Sequence, residues 1–170
     1  MERFRRATEG DLDGNMGVIR EAQAFMRTLE IDQWQDGYPQ REILLEDIEL
    51  GQLYVFAEGE AVCAVAALSL LPEPVYDGID GAWINGGAYL TIHRMALDDA
   101  HRGGGLAARM LERAVEIAAG NDRASVRVDT HPGNKAMRRF LEKNGFVHCG
   151  TVYYHVKRGD PQRVAYEKLL

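Results

Sequence analysis

The sequence has few of the features that would place the chain among secreted, membrane or nucleic-acid-binding proteins. It contains two cysteines in 170 residues, Cys63 and Cys149, without the Cys-x-x-Cys spacing of redox and zinc sites. We therefore expect free thiols in a reducing cytoplasm, with no disulfide and no metal site. The net charge of −6 argues against a nucleic-acid partner.

Long apolar runs are also missing. The longest, around Ala61–Leu71, is shorter than the roughly 20 residues that a membrane-spanning helix needs. The charged segment MERFRRATEGD at the start has no apolar stretch of the kind found in signal peptides. Apolar residues make up 46% of the chain and charged residues 27%, a balance typical of globular proteins. We expect one domain over residues 1–170, without a membrane partner.

Strand, turn and helix signals follow one another along the whole chain. The predicted elements are, in chain order, a strand at 3–8, helices at about 8–29 and 39–50, a hairpin at 52–71, a long loop at 71–87, a strand at 88–97, a helix from the glycines at 103–105 to 120, a strand at 124–128, a helix at 134–144, and two strands joined by a turn at 157–162. This order, β-αα-βββ-α-β-α-ββ, predicts an α/β (α+β) fold: a mixed, mostly antiparallel sheet of six to seven strands with helices on both faces.

Three consecutive glycines, Gly103, Gly104 and Gly105, separate a predicted strand from a predicted helix. Glycines at a helix start let backbone N–H groups turn toward a ligand, and the helix N-terminus favours an anion such as phosphate. A flexible turn that happens to be rich in glycine explains the same letters. The glycines alone leave both interpretations open.

Known nucleotide-binding motifs narrow the choice. No Gly-Lys-Ser/Thr occurs in the chain, which excludes a P-loop. Gly103-x-Gly105-x-x-Ala108 matches the dinucleotide fingerprint loosely, but DDAHR separates it from the strand, and a hairpin precedes it where a Rossmann unit would begin with βαβ. A dinucleotide-binding oxidoreductase is therefore kept as an alternative.

A third pattern fits better. The segment Arg102–Ala107 matches Arg/Gln-x-x-Gly-x-Gly/Ala and resembles the coenzyme A pyrophosphate loop of the GCN5-related N-acetyltransferases, the GNAT family. The later segment NKAMRRFLEKNGF, Asn134–Phe146, is similar to a second signature of that family, and the element order agrees over the whole chain.

The resemblance implies direct transfer of an acetyl group from acetyl-CoA to a primary amine of a small molecule or peptide. It also implies that the strand before the loop is bulged and splayed, so that its free backbone groups pair with pantetheine and the Met95 N–H serves the developing oxyanion. The implied cofactor-binding residues are Met95, Ala96, Leu97, Arg102, Gly103, Gly104, Gly105, Leu106, Ala107 and Asn134.

Two histidines are candidates for the general base. Some family members carry a catalytic histidine at the position of His93, and strand alternation predicts that it shares a face with Thr91 and Met95. His131 is the second candidate. A structural role for either histidine, or a relay of water molecules, stays open.

The general acid departs from the family pattern, because Leu141 stands where the family commonly has a tyrosine. Tyr153 and Tyr154 are possible substitutes, of which at most one can face a shared cleft, since neighbouring strand residues point in opposite directions. A CoA-binding module without efficient catalysis is the alternative that Leu141 favours.

The acceptor pocket is predicted between the first two helices and the strand of His93. Trp34 and Tyr38 can line it, and Asp36 or Asp32 can attract an ammonium group. Aromatic side chains that close the edge of the core are an equally good explanation. The C-terminal hairpin makes a homodimer a reasonable expectation.

Overall fold

The computed structural model describes residues 1–156 and 158–170, so Lys157 of the predicted turn at 157–162 lies outside the described residues. The eight strands are β1 (Arg3–Arg6), β2 (Leu53–Glu58), β3 (Ala61–Ser69), β4 (Asp80–Gly81), β5 (Tyr89–Leu97), β6 (Ser125–Thr130), β7 (Val147–Tyr153) and β8 (Gln162–Leu169). The four α-helices are α1 (Leu12–Thr28), α2 (Arg41–Glu49), α3 (Leu106–Gly120) and α4 (Lys135–Lys143). In this part of the chain, no helix is long and apolar enough to cross a membrane.

All eight strands form one sheet in the order β1-β2-β3-β5-β6-β8-β7-β4. Every neighbouring pair is antiparallel except β5 and β6, which are parallel. The predicted fold class is confirmed, but the sheet has eight strands where six to seven were expected. The extra strand, β4, lies in the segment predicted as a loop and pairs with Gly150 and Thr151 of β7.

The pairing of β4 depends on two glycines that are distant in the sequence. A Cβ at Gly81 would lie 2.2 Å from the carbonyl oxygen of Cys149, and one at Gly150 would lie 2.2 Å from that of Asp80. Only glycine allows the two backbones to approach this closely. Because Gly81 and Gly150 are about 70 residues apart in the chain, no local periodicity of the sequence indicates that they pair.

Helices cover both faces of the sheet, as predicted. Helix α1 buries Leu12, Ile19 and Met26 at helical spacing, and these side chains pack with α2 against β2 and β3. Helices α3 and α4 pack on the opposite face, with Met110 and Leu141 fully buried there. Helix α1 is continuous from Leu12 to Thr28, although it contains Gly14 and Gly17.

Strand β5 separates from β6 halfway along its length. Their register runs from Tyr89–Ser125 to Ile92–Val128 and ends there, although β5 continues to Leu97. On the other side of β5, Val65 pairs with Ala96 whereas Ala67 pairs with His93, so Arg94 and Met95 together oppose the single residue Ala66. This is a β-bulge, and Arg94 adopts a left-handed φ of 52° within it.

The bulge corrects one prediction about this strand. Met95 packs with the buried cluster of α3 and α4, together with Ile92, and so does not share the face of His93. Simple alternation predicted one common face for His93 and Met95. Because of the extra residue after His93, every later residue of the strand lies on the opposite face of the sheet from the one that simple alternation predicts.

The long segment between β3 and β5 packs against the strands β6, β8 and β7. Tyr76 is 1% exposed, and the Trp83 indole donates a hydrogen bond to its carbonyl oxygen. Farther on, the N–H groups of Ile84 and Asn85 both donate to the Glu167 carboxylate, which is also paired with Arg127. The segment is therefore held against these strands by contacts of both its backbone and its side chains.

Candidate active site

The glycine loop ends at the N-terminus of α3 in a conformation suited to an anion. Gly103 and Gly105 have left-handed φ values of 79° and 86°, and a Cβ built at either position would meet nothing within 4 Å. The N–H groups of Gly105, Leu106 and Ala107 donate to no other group within the described residues. Free donors at a helix N-terminus, next to backbone without side chains, fit a pyrophosphate.

Arg102 lies at the entrance to this loop but already has protein partners. Its guanidinium pairs with the Asp99 carboxylate and stacks 3.8 Å from the ring centre of Phe25 on α1. Sequence reasoning missed both partners. Phe25 lies almost 80 residues away in the chain, whereas Asp99 lies only three residues before Arg102. A role of Arg102 in holding phosphate stays a prediction.

A small cavity of about 90 Å³ lies where β5 and β6 diverge. It is lined in part by Met95 and Asn134, two of the residues predicted to bind the cofactor. The Asn134 side chain caps α4, since its Oδ1 accepts the Met137 N–H at 3.1 Å. Ala96 is buried and Leu97 half-buried along the same stretch of β5, whose backbone has no β6 partner.

A larger cavity of about 620 Å³ lies beside it, on the face of the sheet that carries α1 and α2. The structure brings Trp34, Asp36 and Tyr38 together with His93 and Tyr154 in its lining, and Asp32 lies there too. The predicted acceptor residues and one predicted base therefore share a single space. Their roles toward an acceptor stay predictions.

His93 is held by a carboxylate that sequence reasoning missed. Its Nε2 lies 3.1 Å from Oε2 of Glu73, and both side chains are about four-fifths buried. The contact with His93 is the main cause that lowers the pKa of Glu73. Glu73 is itself fixed by the Val75 N–H, which donates to Oε1. With Nε2 engaged, Nδ1 is the imidazole nitrogen left for a ligand in the cavity.

Asp129 is a second carboxylate in the cavity that the sequence analysis did not select. Its Oδ2 accepts hydrogen bonds from the hydroxyls of Tyr76 and Tyr154, both at 2.7 Å. Burial raises the pKa of Asp129, and the two hydroxyls act in the opposite direction. Its position at the end of the buried strand β6, beside the splayed β5, is the signal that would have identified it.

The two candidate tyrosines differ sharply in environment. Tyr153 is 49% exposed, whereas Tyr154 lines the cavity and donates to Asp129. Burial raises the pKa of Tyr154 far above its ordinary value, so its phenol is protonated at neutral pH. Leu141, at the position of the usual family tyrosine, is fully buried among apolar side chains.

An ion-pair network fixes the loop that carries Trp34 and Tyr38. Arg94 donates through Nε and Nη2 to the buried carboxylate of Asp47, both at 2.7 Å, and through Nη1 to the Tyr38 hydroxyl at 2.8 Å. Gln23 of α1 donates to the Tyr38 carbonyl oxygen. The β-bulge turns Arg94 toward these partners. Since the sequence does not reveal the bulge, it does not indicate this network either.

His131 lies apart from the cavity lining. Its Nδ1 accepts the Gly133 N–H at 2.9 Å, an arrangement that orders the loop before α4. Burial, with a smaller contribution from Arg163, lowers its pKa. The lone pair of Nδ1, which a general base would use, therefore already accepts the Gly133 N–H.

Comparisons with known proteins agree with this geometry. A family model described as the acetyltransferase (GNAT) family matches residues 19–146. A GNAT-family acetyltransferase from Streptococcus agalactiae is 35% identical, with a TM-score of 0.86 over 99% of this chain and 95% of that one. A search of curated protein sequences found no match.

Two more distant structures share the fold. The PaiA N-acetyltransferase of Thermoplasma acidophilum, solved in complex with coenzyme A, is 16% identical with a TM-score of 0.74 over 100% of this chain and 99% of that one. The ribosomal-protein-S18-alanine N-acetyltransferase of Escherichia coli is 14% identical with a TM-score of 0.69, over 99% and 94%.

These matches confirm the resemblance seen in the loop and in the second signature, and with it the cofactor, acetyl-CoA. The dinucleotide-binding alternative loses its support, because the matched family and the antiparallel hairpin before the loop both differ from a Rossmann unit. The family model over residues 19–146 and the 35% identity along nearly the whole chain show that this protein belongs to the GNAT family of acetyl-CoA-dependent acetyltransferases.

Proposed function

We propose that the protein transfers an acetyl group from acetyl-CoA directly to the primary amine of a small-molecule or peptide acceptor. The acceptor binds in the 620 Å³ cavity. The observation that carries the proposal is the position of His93: it lines this cavity directly before the bulge, at the point where β5 leaves β6. There a cofactor between the strands and an amine in the cavity would meet.

The residues of the chain fit the cofactor. When bound, acetyl-CoA supplies the acetyl group as a thioester. The N–H groups at the start of α3 and the open backbone at Gly103 and Gly105 would hold its pyrophosphate. The unpaired edge of β5 at 95–97 would hold the pantetheine as an added strand does. The Met95 N–H would stabilise the negative charge that develops on the acetyl oxygen.

His93 accepts the proton of the attacking amine through Nδ1. Glu73 serves as its positioning residue: it accepts the Nε2 proton, selects the tautomer with a free lone pair on Nδ1, and stabilises the imidazolium that forms.

Tyr154 is the candidate acid for the leaving thiolate, because it is a protonated phenol on the cavity wall. Its single O–H proton is donated to Asp129 in this structure, so the role of acid requires this hydrogen bond to be exchanged for one to the thiolate. The buried Leu141 leaves the usual family position without a proton donor.

The test combines binding and turnover. We expect acetyl-CoA to raise the melting temperature, since a ligand that binds only the folded state stabilises it. Release of free thiol in the presence of a panel of primary amines then measures transfer. Stabilisation without turnover would favour the non-catalytic CoA-binding module. Stabilisation by NAD(P) and none by CoA would return the oxidoreductase alternative.

A further inference from the structure

One buried cation in the acceptor cavity makes no ion pair within 4 Å in the part of the chain that the structure describes. Arg163, near the start of β8, lines the cavity and is 8% exposed. Its Nη1 donates to the carbonyl oxygens of Asp160 and Gln162, at 2.7 and 2.6 Å. Nε and Nη2 make no hydrogen bond to the described part of the chain, and no carboxylate there lies within 4 Å of the guanidinium. Burying a charge without a partner is costly.

The register of the sheet directs Arg163 toward Asp129. Asp129 of β6 lies opposite Ala165 of β8, so their side chains share one face, and Arg163 lies two residues before Ala165 on that face. Burial raises the pKa of Asp129, and the positive charge of Arg163 is one of the smaller effects that oppose this rise.

The same face carries His93. Thr91 of β5 pairs with Arg127 of β6, and His93 and Asp129 each lie two residues farther along their strands, before the bulge begins. His93, Asp129 and Arg163 therefore stand side by side on three neighbouring strands. Two strand spacings, about 10 Å, separate the outer two backbones, and the divergence of β5 and β6 adds to this.

Three other charged groups of the cavity already have partners: Arg94 is bonded to Asp47 and Tyr38, Asp129 accepts two tyrosine hydroxyls, and Asp36 accepts the Tyr38 N–H. Asp32 and Arg158 also line the cavity, but both are exposed at its surface. On the buried wall, the groups left for a ligand are a guanidinium with two free nitrogens at one side and the free Nδ1 of His93 at the other. A ligand that carries one anionic group and one amine would satisfy both.

We propose that the acceptor is a small zwitterionic amine, whose carboxylate or phosphonate binds Arg163 while its amino group lies at His93. The inference rests on the proposed function and makes it more specific. An arginine fork accepts either kind of anion in a bidentate arrangement, so the two sources are separated by experiment.

The experiment uses pairs of acceptors that differ in the anionic group. Amino acids are compared with their amides, and 2-aminoethylphosphonate with propylamine, by kcat/KM at saturating acetyl-CoA. We expect the wild type to prefer the anionic member, and Arg163→Gln to reduce that preference about 10- to 100-fold. Because each preference is a ratio, intrinsic differences between the amines cancel when wild type and variant are compared. Whichever pair shows the larger loss identifies the anion.

Arg163→Lys keeps the charge and should keep part of the preference, which separates lost recognition from a misfolded β8. The matched control is Arg113→Gln, an exposed arginine of α3 paired with Glu116, and it should leave the preference unchanged. A wild type without preference for the anionic members would overturn the inference, as would an equal preference in Arg163→Gln.

A binding measurement keeps this inference separate from the proposed function. Calorimetry on the CoA-saturated protein compares N-acetyl amino acids with their amides. If no amine is acetylated, the proposed function fails, whereas anion-selective binding that disappears in Arg163→Gln still supports the anion site. Binding without selectivity for the anion rejects the site even if other amines are acetylated.

Discussion

Replacing His93 with glutamine is the sharpest test of the mechanism. Glutamine retains an amide that can reach toward Glu73, which lies 3.1 Å from the imidazole, but it has no group that titrates near neutrality. A positioned general base contributes about 10²- to 10⁴-fold to the rate, so kcat should fall by a factor in this range. Acetyl-CoA affinity should change little, because the free N–H groups at 105–107 lie at a different part of the site.

The pH profile identifies the cause of the loss. In the wild type, kcat/KM should depend on pH through the general base, and in His93→Gln the acidic limb of the profile should flatten. Glu73→Gln removes the carboxylate that lies 3.1 Å from Nε2, so the lost orientation of the imidazole should lower kcat.

Turnover by thiol release is measured on variants whose melting temperatures show that they are folded. The matched control is His148→Gln, since His148 lies on β7, packs at a tilted angle against Tyr166 and is exposed outside the cavity. A His93→Gln protein that keeps near-normal turnover and the same acidic limb would refute the base assignment. A proportional loss in the control would show that the effect is not specific to His93.

Three other predictions concern the cofactor loop, the acid and the fold. In Gly105→Val, acetyl-CoA should no longer raise the melting temperature, and a rise equal to that of the wild type would reject the loop assignment. The control Gly59→Val, at an equally open position with a left-handed φ of 59°, should be less stable but should still be stabilised by acetyl-CoA. Tyr154→Phe should lower kcat roughly 100-fold with acetyl-CoA affinity retained, and an unchanged kcat would exclude it as the acid. Asp11→Asn should lower the free energy of unfolding by about 2 kcal/mol at pH 7, because Arg5 lowers the pKa of Asp11 from 3.8 to about 2. This stabilisation is complete above pH 4 and is lost as the pH falls through 2, so the free energies of unfolding that denaturant titrations give for the two proteins should converge in acid.

The sequence by itself determined the fold class, the family and the cofactor. These depend on local signals: alternation within strands, helical spacing of apolar residues, and a glycine loop directly before a helix. The loop spacing at Arg102–Ala107 and the Asn134–Phe146 signature identify the family because each places backbone groups without reference to distant parts of the chain. Even the departure at Leu141 is visible in the sequence alone.

The tertiary structure decided the chemistry of the candidate site. Glu73, Asp129 and Arg163 come from a loop, from β6 and from β8, and they meet His93 only after the sheet has brought these segments together. No periodicity or spacing predicts such contacts, because the groups are separated by 20 to 90 residues and their order in the sheet differs from their order in the chain.

The bulge in β5 shows the same limit at the scale of one residue. Alternation predicted that His93 and Met95 share a face, and the extra residue opposite Ala66 sends them to opposite faces. A bulge results from pairing with a neighbouring strand, so the letters of one strand do not reveal it. The sequence therefore determined which residues form β5, whereas its pairing with β3 and β6 decided which of them face the acceptor and which face the core.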